Sequence, residues 1–177
     1  MPVTDADAKR ALRAEMRAVR ARIAADPADR LARSNRIWAR IVSLTDLGAS
    51  VPENGNERAQ MRHVMLFESL RTEPDTTSWI TWCAERDVVV HLPVVDGPNL
   101  ELDPPLDPAD LDIVVVPGLA FTADGRRLGQ GGGHYDRFLR RLRADCVTVG
   151  AAFAEQLVAD VPTETHDVHL TYVATDA

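Results

Sequence analysis

Leu12, Met16, Val19 and Ile23 recur three and four residues apart, the spacing that lines one face of an α-helix. Thr4, with Asp7 three residues on, has the form of a capping box, so a first helix is expected to open there and close near Ala25. Asp26-Pro27 is a start signal for a second helix, which would turn Leu31, Trp38, Ile41 and Leu44 inward and stop before Gly48. The apolar pattern then breaks. Residues 49–60, with Pro52, Asn54, Gly55 and Asn56, read as a surface loop.

Beyond that loop the period changes. Val64 to Phe67 is a short apolar run of strand type, and Val88 to Leu92 is another. Between them Pro74, taken as a first helical position, opens a helix carrying Trp79, Ile80 and Cys83. The acidic stretch 96–110, with Pro98, Pro104, Pro105 and Pro108, is expected to be a loop. Ile113 to Val116 is a β-branched run of the kind buried on both faces of a parallel sheet. A glycine-rich loop follows, then a helix from Tyr135 to Leu142 with Phe138, Leu139 and Leu142 at helical spacing. A strand at Val147–Ala151, a short helix near 155–159 and a strand near 170–174 complete the pattern. Strands alternating with helices predict one α/β domain over 1–177, a mostly parallel sheet with helices on both faces in a three-layer, Rossmann-like arrangement, with ligands at the carboxyl ends of the strands.

Composition narrows the function classes. A chain of 177 residues with 45% hydrophobic and 5% aromatic residues can bury a substantial core. A formal net charge of −7 speaks against nonspecific nucleic-acid binding, which draws on clustered cations, so any anionic ligand must be held by local positive charge. Cys83 and Cys146 fall on a helix and at a strand start and read as core thiols, not a disulfide framework. The N-terminus has no apolar run, and no stretch approaches the roughly 20 apolar residues of a membrane span. These features predict a cytoplasmic protein with no nucleic-acid or membrane partner.

Glycine and cations concentrate in one place, from Gly118 through Arg126-Arg127-Leu128-Gly129-Gln130-Gly131-Gly132-Gly133-His134-Tyr135-Asp136. Glycines let the backbone turn through positive φ and bring bare N–H groups up to an anion, and a following helix N-terminus adds partial positive charge. The string is not a Walker A loop, since no Gly-Lys-Ser/Thr closes it, and His134 stands where the third glycine of G-x-G-x-x-G would be. A flexible surface loop is the alternative reading. Asp136, one turn into the helix, suits Mg²⁺ bridging phosphate oxygens or simple dipole complementarity. Lys9, Arg13 and Arg20 share a face of the first helix with Met16, and a solvated basic face is the ordinary explanation. Glu73 before Pro74 reads either as a helix N-terminal acid or as a ligand contact. His166 and His169, with Asp167 between them, lack further ligands at metal-site spacing.

Pro117-Gly118-Leu119-Ala120-Phe121, Gly125, Arg127-Leu128-Gly129, Gly131, Gly133 and Tyr135-Asp136 together resemble the signature of the 5-formyltetrahydrofolate cyclo-ligase (methenyltetrahydrofolate synthetase) family. The resemblance extends to Ala8–Arg13, Glu73–Thr76, Leu92-Pro93, Ala152–Gln156 and His166-Asp167. His134 replaces a tyrosine usual in the family, the segment after Leu92-Pro93 is shorter than usual, and Val94 stands where a basic residue is common.

The resemblance implies an ATP-dependent ligase of folate one-carbon metabolism that converts 5-formyltetrahydrofolate to 5,10-methenyltetrahydrofolate, with MgATP and a reduced folate as its partners. It implies an ATP site of Lys9, Arg13 and residues 127–136 (Arg127, Leu128, Gly129, Gln130, Gly131, Gly132, Gly133, His134, Tyr135 and Asp136). Lys9 and Arg127 would be catalytic, Asp136 the Mg²⁺ ligand and Glu73 a substrate contact. A monomer or weak dimer is expected. Two other readings are a diverged relative acting on another small amide or acid, and a nucleotide-binding module without turnover.

Overall fold

The structure is a computed structural model that describes residues 4–45, 47, 62–162 and 167–177. The expected loop at 49–60 and His166 lie outside the described residues.

Helix α1 (Asp5–Ala24) begins where the capping pattern places it. Thr4 Oγ1 accepts a hydrogen bond from the Asp7 N–H at 3.2 Å and donates to the Asp7 carboxylate at 2.7 Å, which occupies an N–H the helix itself leaves unpaired. Met16, Val19 and Ile23 of its apolar stripe are buried. Helix α2 (Pro27–Thr45) buries Ile37, Trp38 and Ile41. Leu31, expected inside, is 44% exposed; the buried face of α2 instead runs through Ser34, whose hydroxyl accepts the Asp75 N–H at 2.7 Å.

Among the described residues the main sheet has six strands, in the order Asn99–Asp103 (β3), Val89–Asp96 (β2), His63–Met65 (β1), Ile113–Val116 (β4), Val147–Ala151 (β7) and Tyr172–Ala174 (β8). Strands β1, β2, β4, β7 and β8 run parallel, and β3 pairs antiparallel with β2. The central strand β4 is buried at every position. Ile113 and Val115 join Val64, Leu66 and Val149 in a core with α1, α2 and α3 (Thr77–Ala84). Val114 and Val116 join Met65 in a second core with Phe138 and Leu139 of α4 (His134–Leu139). The period-2 alternation of one strand therefore feeds two cores, and the expected three layers are present.

Four expectations need correction. Stretch 96–110 is not all loop: β2 runs on to Asp96 and turns at Gly97-Pro98 into β3, paired from Leu92↔Asp103 to Asp96↔Asn99. Asn99–Asp103 alternates exposed and buried, as an edge strand should, and its flanking prolines fall outside the ladder, where a missing N–H does no harm. Pro74 does not start α3, which opens at Thr77; residues 66–76 are an irregular connection with a turn at 71–72, in which Asp75 Oδ1 accepts the Thr77 N–H at 3.0 Å. The glycine string holds a small hairpin, β5 (Ala120–Phe121) with β6 (Arg127–Leu128), before its glycines begin in earnest. The expected helix near 155–159 is a single 3₁₀ turn at Ala154–Gln156.

The connections from β1 and β4 leave in opposite directions, to β2 on one side and β7 on the other. Between β1 and β4 lies a switch point, and beyond the carboxyl ends of such strands a parallel sheet has its crevice.

Candidate active site at the switch point

A cavity of about 300 Å³ lies in that region. Its lining includes Lys9 and Arg13 from α1, Glu73 from the connection after β1, Gly118 after β4, Arg127 and Leu128 from β6, Gly129 to Gly133, and His134, Tyr135 and Asp136 from the first turn of α4. Every residue singled out in the sequence for nucleotide, metal or acceptor thus borders one space. Sequence reasoning missed Val95, Leu100 and Pro162 as lining, and gave Asp167 no role in the site. Val95 and Leu100 face each other across the β2–β3 ladder, in a hairpin that the prolines of the sequence conceal.

Helix α1 holds the glycine loop directly. Arg13 Nε donates to Gly129 O at 3.1 Å, and Arg17 Nη2 donates to the Gln130 side-chain oxygen at 3.1 Å. Gly131 has φ of 110° and Gly133 of 66°, conformations that side-chain-bearing residues rarely adopt, so the run is a backbone requirement as well as a smooth surface. Helix α4 has only six residues. Anion attraction here rests on cations and loop amides more than on a helix dipole.

Arg127 is the central cation. Its side chain is 4% exposed and donates from Nη2 to Asp136 Oδ1 at 2.5 Å. Its Nε and Nη1 are buried with no hydrogen-bond partner among the described residues, although buried donors are nearly always matched. The guanidinium lies 5.7 Å from the Tyr135 ring centre. Burial, and then the Glu73 carboxylate, push the Tyr135 hydroxyl well above the usual phenol range, with Arg127 partly opposing. Tyr135 is therefore a neutral hydroxyl near neutral pH.

Glu73 is buried as well. Its Oε2 accepts the Leu70 N–H at 3.0 Å, and its Oε1 is 3.2 Å from Arg20 Nη2. The basic face of α1 is thus not simply solvated, since Arg20 is 2% exposed. Burial pushes the Arg20 guanidinium below its ordinary value and the Glu73 carboxylate works against that shift.

The opposite wall is tied to α4. Arg137 Nε donates to Pro98 O at 2.8 Å and Nη2 to Gly132 O at 2.9 Å, while His134 Nε2 lies 3.4 Å from Gly97 O. Arg141 Nη1 donates to Leu100 O at 3.1 Å. The β2–β3 turn is thereby fastened to the glycine loop.

Asp136 and Asp167 border the same cavity as Glu73, which is already engaged by Arg20. Mg²⁺ characteristically takes one or two protein carboxylates and completes its shell with phosphate oxygens and water, so this donor set fits it. No group of three or more His, Cys, Asp or Glu side chains suited to a metal occurs among the described residues, and His169 makes no such cluster there. No helix is long and apolar enough to cross a membrane among the described residues. Cys83 and Cys146 are buried and unpaired, and burial raises both thiols to about 12.

Comparison with known proteins identifies chains of similar sequence and fold. Residues 95–176 match the model of the 5-formyltetrahydrofolate cyclo-ligase family. The 5-formyltetrahydrofolate cyclo-ligase of Mycolicibacterium smegmatis is 38% identical over 79 residues, 42% of this chain and 41% of that protein. That of Escherichia coli K12 is 33% identical over 98 residues, 55% of this chain and 54% of that protein. These matches span well under two thirds of the relatives' own length. Among solved structures, a 5,10-methenyltetrahydrofolate synthetase from Mycoplasma pneumoniae superposes with a TM-score of 0.78 at 21% identity, covering 96% of this chain and 99% of the other. The Aquifex aeolicus 5,10-methenyltetrahydrofolate synthetase gives 0.75 at 22% identity, covering 95% and 89%. The carboxyl-terminal half of this chain, with β3, the glycine loop and Arg127, is thus similar in sequence to the 5-formyltetrahydrofolate cyclo-ligases, and the chain as a whole has the fold of the methenyltetrahydrofolate synthetases.

Proposed function

We propose that the protein is an ATP-dependent ligase that converts 5-formyltetrahydrofolate to 5,10-methenyltetrahydrofolate, releasing ADP and phosphate. The observation that carries this reading is Arg127: a buried guanidinium with two unmatched donors beside a glycine loop calls for an anion, and Glu73 lies in the lining of the same cavity. Lys9, Arg13, Arg127 and the amides of residues 129–133 would hold the nucleotide phosphates, with Leu128, Gln130, His134 and Tyr135 around them and Lys9 and Arg127 acting in catalysis. Glu73 would contact the folate.

The chemistry requires an anion site and little else from the protein. A formamide oxygen leaves poorly, because amide resonance stabilises the ground state and the departing group would resemble hydroxide. Attack of that oxygen on the γ-phosphoryl group, with ADP leaving, converts it to a phosphate ester. N10 of the folate then attacks the formyl carbon, its proton is lost, and phosphate departs with the C–O bonding pair. Guanidinium and ammonium groups that neutralise the transferring phosphoryl need only be positioned in advance. Bound Mg²⁺ would supply charge neutralisation between phosphate oxygens, and Asp136 and Asp167 would hold it. We place this activity in the cytoplasm, in a monomer or weak dimer.

The test is direct. Protein mixed with 5-formyltetrahydrofolate and MgATP should give the ultraviolet absorbance of the methenyl product together with ADP. ADP without that absorbance, or neither, overturns the reading.

A further inference from the structure

Arg20 belongs to none of the groups assigned above, yet it touches two segments that meet at the switch point. Its Nε donates to Thr72 O at 2.9 Å and its Nη2 to Thr72 Oγ1 at 2.9 Å; Nη2 also pairs with Glu73 Oε1 at 3.2 Å, and Nη1 reaches Gly118 O at 3.4 Å. Gly118 O is fixed from the other side by Gln156 Nε2 at 3.0 Å. One guanidinium on α1 thus links the connection after β1 to the loop after β4. A carboxylate offers about four acceptor positions. In Glu73 two are taken, by Arg20 and by the Leu70 N–H, which fixes the plane of the group and leaves two for a ligand in the cavity that Glu73 lines.

Arg30 provides the contrast. It grips the same connection through Glu73 O at 2.7 Å, Leu70 O at 3.3 Å and the Asp75 carboxylate at 3.0 Å, and none of these bonds involves the Glu73 carboxylate. We infer that Arg20 is a positioning residue for the acceptor: it acts through Glu73, holding that carboxylate in one plane, while the nucleotide phosphates are held by other cations. The inference rests on the proposed function, in which Glu73 contacts the folate.

Steady-state kinetics with 5-formyltetrahydrofolate and MgATP test it. Turnover by the unaltered protein comes first; its absence overturns the proposed function and this inference with it. Given turnover, Arg20→Met should raise KM for the folate about tenfold or more and leave KM for MgATP within about twofold, since an unpaired buried carboxylate loses its geometry while the phosphate cations stay in place. Arg20→Lys, which keeps a charge but not the fork, should fall between. Arg30→Met should move the folate KM by less than about threefold. In a Glu73→Gln background, Arg20→Met should add less than about twofold, because two residues that work as a unit are not additive. If Arg20→Met does not fold, Arg20→Lys set against Glu73→Gln and the Lys/Gln double variant answers the same question. An unchanged folate KM, an equal rise in both KM values, multiplicative effects in the double variant, or an equal effect of Arg30→Met would each overturn the inference.

Discussion

Arg20 and Arg127 are both buried guanidiniums beside the same crevice, yet they are satisfied in opposite ways. Arg20 meets a carboxylate, a hydroxyl and two carbonyls. Arg127 meets one carboxylate and leaves Nε and Nη1 unmatched. An unmatched buried donor costs about 1–3 kcal/mol, an expense a fold keeps where a ligand will repay it. The socket of Arg20 is finished by folding, whereas that of Arg127 keeps two donors open. Burial and charge alone would have ranked the two residues equally; counting donors separates them.

The largest effect should be on stability at Arg20. Arg20→Met strands Glu73 without its cation in the interior and should cost about 3–5 kcal/mol, read as a lowered urea midpoint, whereas Arg127→Met without ligand should cost under about 1 kcal/mol, because Asp136 is partly solvated. Equal losses would break the distinction. Second, Arg127→Met should lower kcat/KM by about 10²–10³-fold, or roughly 2.7–4 kcal/mol, as removal of an oxyanion donor does, and should remove most of the thermal stabilisation that MgATP gives the unaltered protein. Third, Gly131→Ala should cost about 1–3 kcal/mol of backbone strain and weaken nucleotide binding without touching the core. A Cβ there would meet only Arg13, at 3.7 Å, so calorimetric titration should show unchanged affinity if the loop does not bind nucleotide.

The smallest effect lies outside the lining of the crevice, at Arg33. Its Nε is 2.5 Å from Asp176 Oδ2, and it also pairs with Glu155. Burial alone would raise the Asp176 carboxyl, but the Arg33 guanidinium and the Ala154 N–H outweigh it and hold that group below the usual carboxylate range. A carboxyl depressed by folding contributes stability that is present above its unfolded value of about 3.9 and lost as pH falls through the lower folded value. Arg33→Met should therefore reduce Tm near neutral pH, and the gap from the unaltered protein should narrow below about pH 4. A gap that does not depend on pH would show that Arg33 acts through its packing over Phe153 and not through charge.

Legibility in the sequence followed how local each feature is. The helical stripe of α1, the cap at Thr4 and the all-buried β4 depend on side chains a few positions apart, and they formed as expected. The glycine string was visible because its residues are contiguous. Strand β3 was not, since its alternation covers five residues hemmed by prolines and its meaning depends on β2 lying alongside. Leu31 misled because α2 spends part of its inner face on the polar contacts of Arg30 and Ser34 with the connection after β1. Arg20 looked like one more cation on a basic face. Nothing near it in the chain reports that Thr72, Glu73 and Gly118 surround its head group.

Periodicity and glycine placement, acting over one or two turns of chain, set the helices, the central strand and a loop able to turn bare amides toward an anion. Long-range pairing alone could say which buried arginine would be satisfied and which left wanting, or that a proline-rich stretch would fold into the hairpin walling the cavity. Hydrogen bonds and desolvation act on whatever is brought near, and residues 52 and 98 positions apart in the chain become neighbours only when the sheet assembles.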